Sequence, residues 1–323
     1  MKIGALDVGT NTVLMLVAET KPDGGARRVI DLSRITRLGQ AVDQNHRLDP
    51  QAALRTLDTI AEFVDKARAA GAEKIVATGT ATLRDAADGE DFIRRVRERT
   101  GVELEIISGE TEAWLSYLAV MHGLRLDPSQ RLLIIDIGGG STEFIRAGGH
   151  ATEFINAQSA KLQMASLQIG SVRLTERIIH HDPPTPREAA DLRLAIDAEL
   201  TGLGWKLEET ELLVGIAGTV TTVCAVALGM ETYDPDRVHG YRLSRTEVER
   251  VLRLFGSMPL AERRKLKGLD PARADVIFAG TAILERVMSE AEVDSVTVSD
   301  QGVRWGLVWR ELGAAQPPPP KPS

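Results

Sequence analysis

The hydrophobic pattern at the start of the chain predicts three short strands joined by tight turns. An apolar stretch leads to Asp7 and a polar turn at residues 9–12, and a second apolar run follows at residues 13–18. That run ends at the turn signal Pro22-Asp23-Gly24-Gly25, and a further strand-like segment begins at residue 27. Apolar runs this short, bounded by turn residues, are typical of buried strands rather than helices.

The same pattern recurs near the middle of the chain. Apolar residues 132–135 lead to Asp136 and a glycine-rich turn at residues 138–142, and a short apolar segment follows up to Gly148-Gly149. When Asp7 is aligned with Asp136, Gly9 also aligns with Gly138. The chain is therefore predicted to contain two related halves.

Both turns carry residue types that suit phosphate. Glycines and small hydroxyl residues let backbone N–H groups converge on an anion, and an aspartate at a strand end can hold a hydrated Mg²⁺. Neither turn is a P-loop, because no Gly-Lys-Ser/Thr follows, and neither is a dinucleotide fingerprint, because a strand rather than a helix comes next. Two such turns about 130 residues apart predict a pair of phosphate-binding loops.

Helical periodicity is present in three segments. Residues 48–70 and 188–207 combine apolar spacing with charged faces, which predicts long crossover helices. A third helix is predicted to begin after Ser108-Gly109, with Trp114, Leu118 and Met121 spaced to form one buried stripe.

Composition narrows the class of protein. The chain has 323 residues, which exceeds what one core usually supports and predicts two domains. A formal charge of −7 argues against general binding to nucleic acid or membrane surfaces. With no signal peptide and no apolar run of about 18 residues, a soluble cytoplasmic protein is expected. The single Cys224 excludes a disulfide framework and a cysteine zinc site, and the proline-rich tail at residues 317–323 is predicted to be disordered.

With these two turns, the chain resembles the exopolyphosphatase/guanosine pentaphosphate phosphohydrolase family, within the sugar kinase, actin and Hsp70 superfamily. The resemblance spans nearly the whole chain. Beyond the two turns, it rests on five ordered motifs: Ala77-Thr78-Gly79-Thr80-Ala81-Thr82-Leu83-Arg84-Asp85-Ala86, Ile107-Ser108-Gly109-Glu110-Thr111-Glu112-Ala113, Gly215-Ile216-Ala217-Gly218-Thr219-Val220-Thr221-Thr222, Arg273-Ala274-Asp275-Val276-Ile277 and Val298-Ser299-Asp300-Gln301-Gly302-Val303-Arg304.

This resemblance implies an α/β fold of two ribonuclease-H-like, actin-like ATPase domains with an active-site cleft between them. Each domain is expected to hold a mixed five-stranded sheet flanked by helices. Domain I is placed at residues 1–122 with 303–316, and domain II at residues 123–302. The chain lacks the extra C-terminal domains of long family members, so processive action on long polyphosphate is not expected.

The resemblance also implies the site residues. Glu112 is expected to be the catalytic base that orients water, and Arg84 to bind the substrate phosphate. Three carboxylates are expected to reach a Mg²⁺ cofactor: Asp7, Asp136 and Glu143. The remaining phosphate contacts are assigned to Gly9, Thr10, Asn11, Thr12, Gly138, Gly139, Gly140, Ser141, Thr142, Gly218 and Thr219, the last two as a wall of the site.

Ordinary structural roles compete with these assignments. A surface ion pair of Arg84 would be worth under about 1 kcal/mol. A glutamate in the first turn of a helix, such as Glu112, gains about 0.3–1 kcal/mol from the helix dipole without any catalytic role. Glu143 fits an exposed strand position equally well. The family commonly has two consecutive glutamates after Ser-Gly-x, whereas Thr111 precedes Glu112 here, and the inferred base is retained.

Four functions remain open at this stage. The first is hydrolysis of the terminal phosphoanhydride of inorganic polyphosphate, and the second is hydrolysis of guanosine pentaphosphate. A sugar or acid kinase would use the same fold with a nucleotide and an acceptor hydroxyl. A non-enzymatic assembly or chaperone role is disfavoured because no separate client-binding domain is evident. Fold alone does not decide among these functions. No nucleic-acid or membrane partner is expected, and a homodimer is left open.

Overall fold

The computed structural model of the chain describes residues 1–22, 24–40, 42–127, 129–148 and 162–313. The predicted turn residues Asp23 and Gly149 and the predicted disordered tail at residues 317–323 lie outside the described residues. The chain divides into two compact units, Met1–Ala119 with the segment from Val303, and Val120–Gly302. The sequence places these divisions at 122/123 and 302/303.

The first unit is built on a mixed sheet of five strands. These are β1 (Lys2–Val8), β2 (Thr12–Thr20), β3 (Ala26–Ile35), β4 (Lys74–Gly79) and β5 (Leu104–Ile106), in the order β3-β2-β1-β4-β5. The first three strands form the predicted antiparallel meander, and β4 and β5 continue the sheet in parallel with β1. Because β1 and β4 are parallel neighbours, the loops at their carboxyl ends meet at one edge of the sheet.

Helices connect these strands. They are α1 (Val42–Asn45), α2 (Pro50–Ala69), α3 (Ala81–Asp85), α4 (Gly89–Thr100) and α5 (Gly109–Leu124), the last of which runs into the second unit. Helix α2 begins where the Asp49 side chain accepts the N–H of Ala52, and Pro50 takes the first helical position. It buries Ile60, Phe63 and Val64 in the core of this unit.

The second unit contains a six-stranded sheet in the described part of the chain. Its strands are β6 (Leu132–Ile137), β7 (Thr142–Ala147), β8 (Gln163–Leu167), β9 (Leu212–Ile216), β10 (Arg242–Ser244) and β11 (Ser295–Val298), in the order β10-β11-β9-β6-β7-β8. The sequence predicts five strands here, and that number is wrong. The additional strand, β10, has three residues and pairs antiparallel with β11 at the sheet edge, and so short a strand leaves no alternating pattern to read.

Seven helices of the second unit are described. They are α6 (Ser171–Ile178), α7 (Pro186–Gly202), α8 (Ala217–Ala227), α9 (Pro235–Val238), α10 (Arg245–Ser257), α11 (Leu260–Arg263) and α12 (Ile277–Glu290). The predicted crossover helices correspond to α2 and α7, although α7 ends at Gly202 rather than at residue 207. A final helix, α13 (Val303–Glu311), returns to the first unit and packs on β1 and β2.

The two sheets repeat one topology. In each, an antiparallel meander of three strands is followed by two strands parallel to the first strand of the meander. Strands β1, β2 and β4 of the first unit thus correspond to β6, β7 and β9 of the second. The prediction of two related halves from the repeated Asp-x-Gly pattern is confirmed.

Helix α5 differs from its prediction in one respect. Residues 113–120 are all buried, so the helix has no solvent face over this length, and Met121 is only half-buried. One contact explains part of this burial: a Cβ on Gly306 of α13 would lie 2.1 Å from the Leu115 carbonyl oxygen, so the two helices pack backbone to backbone. The predicted single stripe is therefore wrong, because a helix packed on several sides needs apolar residues all round.

Within the described residues, no helix combines the length and the apolar character needed to cross a membrane.

Candidate active site

The turn between β1 and β2, which we call the first loop (residues 9–12), presents free backbone N–H groups. The carbonyl of Asn11 accepts the N–H groups of Thr36 and Arg37, both at 3.0 Å, and the carbonyl of Thr10 accepts that of Gly39 at 2.9 Å. By contrast, the N–H groups of Thr10 and Asn11 donate to nothing in the described part of the chain. This arrangement suits an anion, for which such N–H groups are ready donors.

The side chain of Thr10 is held by two other segments. Its hydroxyl accepts a hydrogen bond from the Thr82 hydroxyl at 2.8 Å, which leaves its own proton available to another acceptor. A Cβ on Gly39 would lie 2.4 Å from Cγ2 of Thr10 and 2.9 Å from Oγ1 of Thr82, so only glycine fits there. The orientation of the first loop therefore depends on residues distant in sequence.

Asp7, near the end of β1, is a buried carboxylate with a raised pKa. Its Oδ1 is buried and has no hydrogen-bond partner among the residues that the structure describes. Burial raises the pKa of Asp7 to about 6, although the nearby Arg304 guanidinium of α13 opposes the shift. Arg304 itself pairs with Asp31 at 3.1 Å. An orphaned buried carboxylate oxygen is a position that a cation would satisfy.

Removing the charge of Asp7 should change how stability depends on pH in metal-free buffer. The folded-state pKa, about 6, exceeds the usual value near 3.8, so the folded protein binds the proton more tightly and loses stability as pH rises between these values. Asp7→Asn lacks this loss. From pH 4 to pH 7.5 the stability of Asp7→Asn relative to wild type should rise by about 2–3 kcal/mol, measured by thermal unfolding in excess chelator.

The matched comparison adds Mg²⁺ at pH 7.5. Wild type should gain more in melting temperature than Asp7→Asn, because a ligand that binds only the folded state stabilises it. Parallel pH–stability curves for the two proteins would contradict the burial argument. Equal stabilisation by Mg²⁺ would contradict a role for Asp7 in holding the ion.

Arg84 and Glu112 come together within the first unit. Nη1 of Arg84, on α3, donates to the carbonyl of Ile107 at 2.5 Å and lies 3.8 Å from Oε2 of Glu112. Glu112 is in the first part of α5, which begins where the Ser108 hydroxyl accepts the N–H of Thr111 at 3.1 Å. Both side chains keep some solvent access, with exposed fractions of 31% and 19%. A cation and a carboxylate thus share one partly open position.

The turn between β6 and β7, which we call the second loop (residues 138–142), contains the same backbone hydrogen bond between its first residue and the residue three positions later as the first loop. The N–H of Gly138 donates to the carbonyl of Ser141 at 3.0 Å, as that of Gly9 does to the carbonyl of Thr12. The N–H groups of Gly139, Gly140 and Ser141 donate to nothing within the described residues. The second loop is thus also built to accept an anion.

Two carboxylates flank the second loop on one face of the sheet. Asp136 of β6 and Glu143 of β7 are direct cross-strand partners in an antiparallel pair, which places their side chains side by side. Oε1 of Glu143 accepts hydrogen bonds from the hydroxyls of Ser141 at 2.6 Å and Ser166 at 3.0 Å. These bonds fix the orientation of Glu143, a constraint that an exposed strand residue does not have.

The start of α8 supplies a third group of donors. Gly218 and Thr219 lie in its first turn, where backbone N–H groups have no helical acceptor. The Thr219 hydroxyl is already used, since it donates to the carbonyl of Ile137 at 3.1 Å. The guanidinium of Arg273 lies against this turn, because a Cβ on Gly218 would be 2.3 Å from its Nη1. A guanidinium beside a helix N-terminus creates a positive potential that favours anions.

The carboxylates fit a Mg²⁺ ion only in part. Oxygen ligands are what this ion prefers, and it commonly keeps several waters and substrate oxygens beside one or two carboxylates. Among the described residues, no three His, Cys, Asp or Glu side chains form a ready-made metal cluster. In the first unit the orphaned oxygen of Asp7, and in the second unit the paired Asp136 and Glu143, each supply oxygen donors of the kind this ion prefers.

Three arginines near these groups were not assigned roles from the sequence. Arg304 and Arg273 belong to two of the family motifs, Val298–Arg304 and Arg273–Ile277, and membership in these motifs could have identified them as candidate site residues. Arg173, whose Nε donates to the carbonyl of Gly140 at 2.7 Å, belongs to α6 and lies outside every quoted motif. Nothing in its local sequence indicates that contact.

Comparison with solved structures establishes the class of fold. The crystal structure of the Aquifex aeolicus member of the Ppx/GppA protein family aligns with a TM-score of 0.81 at 31% identity and covers 97% of each chain. Such structures have two actin-like domains, and the predicted α/β fold of two actin-like domains is confirmed.

The chain belongs to the Ppx/GppA phosphatase family, whose model matches residues 16–315. It is 31% identical over 320 residues to Exopolyphosphatase 2 of Mycobacterium tuberculosis, with 95% of this chain and 97% of the relative covered. It is 30% identical over 315 residues to the guanosine-5'-triphosphate,3'-diphosphate pyrophosphatase of Vibrio atlanticus, with 94% of this chain and 58% of that relative covered. The family resemblance inferred from the motifs is confirmed, and the chain is a phosphatase of phosphoanhydrides.

Proposed function

We propose that this protein is an exopolyphosphatase, which hydrolyses the terminal phosphoanhydride of inorganic polyphosphate and releases phosphate. The observation that carries the proposal is the approach of Arg84 to Glu112, 3.8 Å apart at a partly solvent-accessible position. A carboxylate there can orient a water molecule, while a guanidinium beside it can bind the phosphate that the water attacks. The similarity to Exopolyphosphatase 2 over nearly its whole length supports the same substrate class.

Each residue has a defined role in the proposed reaction. Glu112 accepts a hydrogen bond from water and takes its proton as the oxygen bonds to the terminal phosphorus. The bridging P–O bond breaks, and the chain that leaves is shorter by one phosphate. Arg84 binds oxygens of the terminal phosphoryl group, whose transition state is loose and anionic. Free N–H groups of the first and second loops bind further phosphate oxygens.

Asp7, Asp136 and Glu143 are proposed to hold Mg²⁺. The ion would neutralise charge on the phosphate oxygens, which the seven excess negative charges of the chain otherwise disfavour. The donor chemistry of the three carboxylates supports this assignment, as does the orphaned Oδ1 of Asp7. Arg304 meanwhile offsets part of the cost of burying Asp7 as a charged group.

A second substrate is supported by a specific observation. The Vibrio relative, which is named for a guanosine substrate, is nearly as similar as the exopolyphosphatase. Hydrolysis of guanosine pentaphosphate would break the same type of bond with the same roles for Glu112 and Arg84. The two candidates therefore differ in what surrounds the terminal phosphate rather than in the chemical step.

A direct test uses the purified protein with Mg²⁺ and polyphosphate alone. Phosphate should be released without nucleotide or acceptor, because water is the proposed nucleophile. Release is measured side by side on short polyphosphate, long polyphosphate and guanosine pentaphosphate, at equal concentrations of terminal phosphate. A higher kcat/KM on short polyphosphate than on the guanosine substrate is expected.

Two controls sharpen this test. Excess chelator should abolish release, and added Mg²⁺ should restore it. Phosphate transfer that occurs only when ADP or a sugar is supplied would replace the hydrolase proposal with the kinase alternative. A preference for guanosine pentaphosphate would keep the hydrolase class and overturn the polyphosphate assignment.

A further inference from the structure

The first turn of α6 holds all three glycine carbonyls of the second loop. The N–H of Ser171 donates to the carbonyl of Gly138 at 2.9 Å, and the N–H groups of Val172 and Arg173 donate to that of Gly139 at 2.9 and 3.1 Å. The carbonyl of Gly140 is held differently, because its donor is the side chain of Arg173, through Nε at 2.7 Å. The Ser171 hydroxyl also donates to the carbonyl of Gly138, at 3.2 Å. Among the described residues, the carbonyl of Gly140 is therefore the one of the three that accepts no backbone N–H of α6 and depends on a side chain.

These bonds determine where the loop N–H groups point. In a planar trans peptide, the carbonyl of one residue and the N–H of the next point in opposite directions. Carbonyls turned toward α6 therefore turn the N–H groups of Gly139, Gly140 and Ser141 away from it. These are the same three N–H groups that find no acceptor among the described residues.

The contact between α6 and the loop is close enough to exclude any side chain at its start. A Cβ on Gly170 would lie 2.2 Å from the carbonyl oxygen of Gly139 and 2.5 Å from the carbonyl carbon of Gly140. Packing against Gly170 therefore reaches the peptides that follow Gly139 and Gly140. The carbonyls of the first two peptides are also held by backbone N–H groups of α6, whereas the hydrogen bond to the third carbonyl, that of Gly140, comes from Arg173.

We propose that Arg173 is a positioning residue, whose Nε–H holds the Gly140 carbonyl so that the N–H of Ser141 faces a bound phosphate. The inference rests on the proposed function, since it concerns how the second loop binds polyphosphate. Arg173 acts through the loop: the hydrogen bond from its side chain preorganises a donor that would otherwise rotate. Its bond to a backbone carbonyl, rather than its charge alone, carries the effect.

Two substitutions separate the hydrogen bond from the charge. In Arg173→Gln, Nε2 lies the same number of bonds from Cα as Nε of arginine, so the donor is kept and the charge is removed. Arg173→Met removes both at similar length. Arg177→Gln is the matched control, because Arg177 is exposed on the same helix and the variant loses the same charge.

The expected ranking follows from the loss of one oriented donor. Arg173→Met should lower kcat/KM on short polyphosphate about 10- to 100-fold, because a Ser141 N–H that no longer points at the phosphate stabilises the transition state less. Arg173→Gln should lose only about threefold, because it keeps the donor and loses a partly exposed charge on the carbonyl side of the loop, and Arg177→Gln should match wild type. Equal impairment of the Gln and Met variants, or no impairment of Met, would overturn the inference.

A binding measurement gives an independent readout. In a Glu112→Gln background, which is proposed to prevent turnover, inorganic tripolyphosphate is titrated by calorimetry into proteins carrying Arg173, Gln or Met. The Met protein should bind at least about tenfold more weakly than the Gln protein. Absence of binding by the Arg173 parent would overturn the proposed function and this inference with it, whereas equal binding by all three would overturn the positioning role alone.

One further variant covers failure of Arg173→Met to fold, which its melting curve would reveal. Arg173→Lys keeps the charge but moves the nitrogen one bond farther from Cα. A positioning role predicts that Arg173→Gln is at least as active as Arg173→Lys. A lysine variant clearly more active than the glutamine variant would show that the charge contacts the substrate directly, and the inference would be wrong.

Discussion

Glu112→Gln is expected to lower kcat for phosphate release about 10²–10⁴-fold while changing KM much less. Glutamine keeps the size of the side chain but cannot take a proton from water. The ground-state contacts of the phosphate are proposed to come from Arg84 and the loops, so binding should survive. Steady-state phosphate release on short polyphosphate measures both constants.

The matched control for this variant lies two residues away. Glu110 is in the same first turn of α5 and is exposed, so Glu110→Gln removes an equal charge from the same helix end. It should leave kcat nearly unchanged, because Glu110 has no proposed contact with water or phosphate and its helix-dipole interaction, ~0.3–1 kcal/mol, acts on folding stability. Near-normal turnover in Glu112→Gln, or equal losses in both variants, would rule out Glu112 as the base.

Arg84→Gln is expected to lower kcat/KM about 10²–10³-fold. The guanidinium can bind two phosphate oxygens at once, and an arginine that stabilises transferring phosphate contributes strongly to catalysis. Arg84→Lys should recover only part of this loss, because the ammonium keeps the charge but loses the planar fork. Its bond to the Ile107 carbonyl would also change, so the melting temperature of each variant is measured in parallel.

A double variant tests whether the two residues act together. If Arg84 and Glu112 serve one step, the loss in Arg84→Gln/Glu112→Gln should be well below the product of the single losses. Arg95→Gln is the charge control, since Arg95 is exposed on α4. Independent, multiplicative losses would contradict a shared role, and an unaffected Arg84→Gln would reduce Arg84 to a structural ion pair.

Much of the fold follows from short-range pattern. The meander β1–β3 and the strand pair β6–β7 were predictable because apolar runs between turn residues are a local signal. Helix α2 was predictable because its periodicity extends over many residues and Asp49 and Pro50 mark its start. The three-residue strand β10 was missed, since its pairing with β11, about 50 residues later, has no local signature.

The candidate site divides in a similar way. The carboxylates and glycines of both loops are local in sequence, so their residue types and spacing indicated phosphate chemistry. What orients them is not local: Gly39 and Thr82 hold Thr10, and Arg173 holds Gly140. A hydrogen bond or close packing contact between distant segments depends on the folded backbone, and one sequence carries no record of it.

The sequence by itself determined the repeated strand–turn–strand motif, the family and the carboxylate and arginine that the proposed reaction uses. Only the tertiary structure decided that Asp7 is buried with an unpaired oxygen, that Arg304 lies close enough to oppose its pKa shift, and that α6 turns the glycine carbonyls of the second loop away from its free N–H groups. The physical reason is that burial and hydrogen-bond direction arise from packing between segments, whereas residue type and spacing are properties of the chain alone.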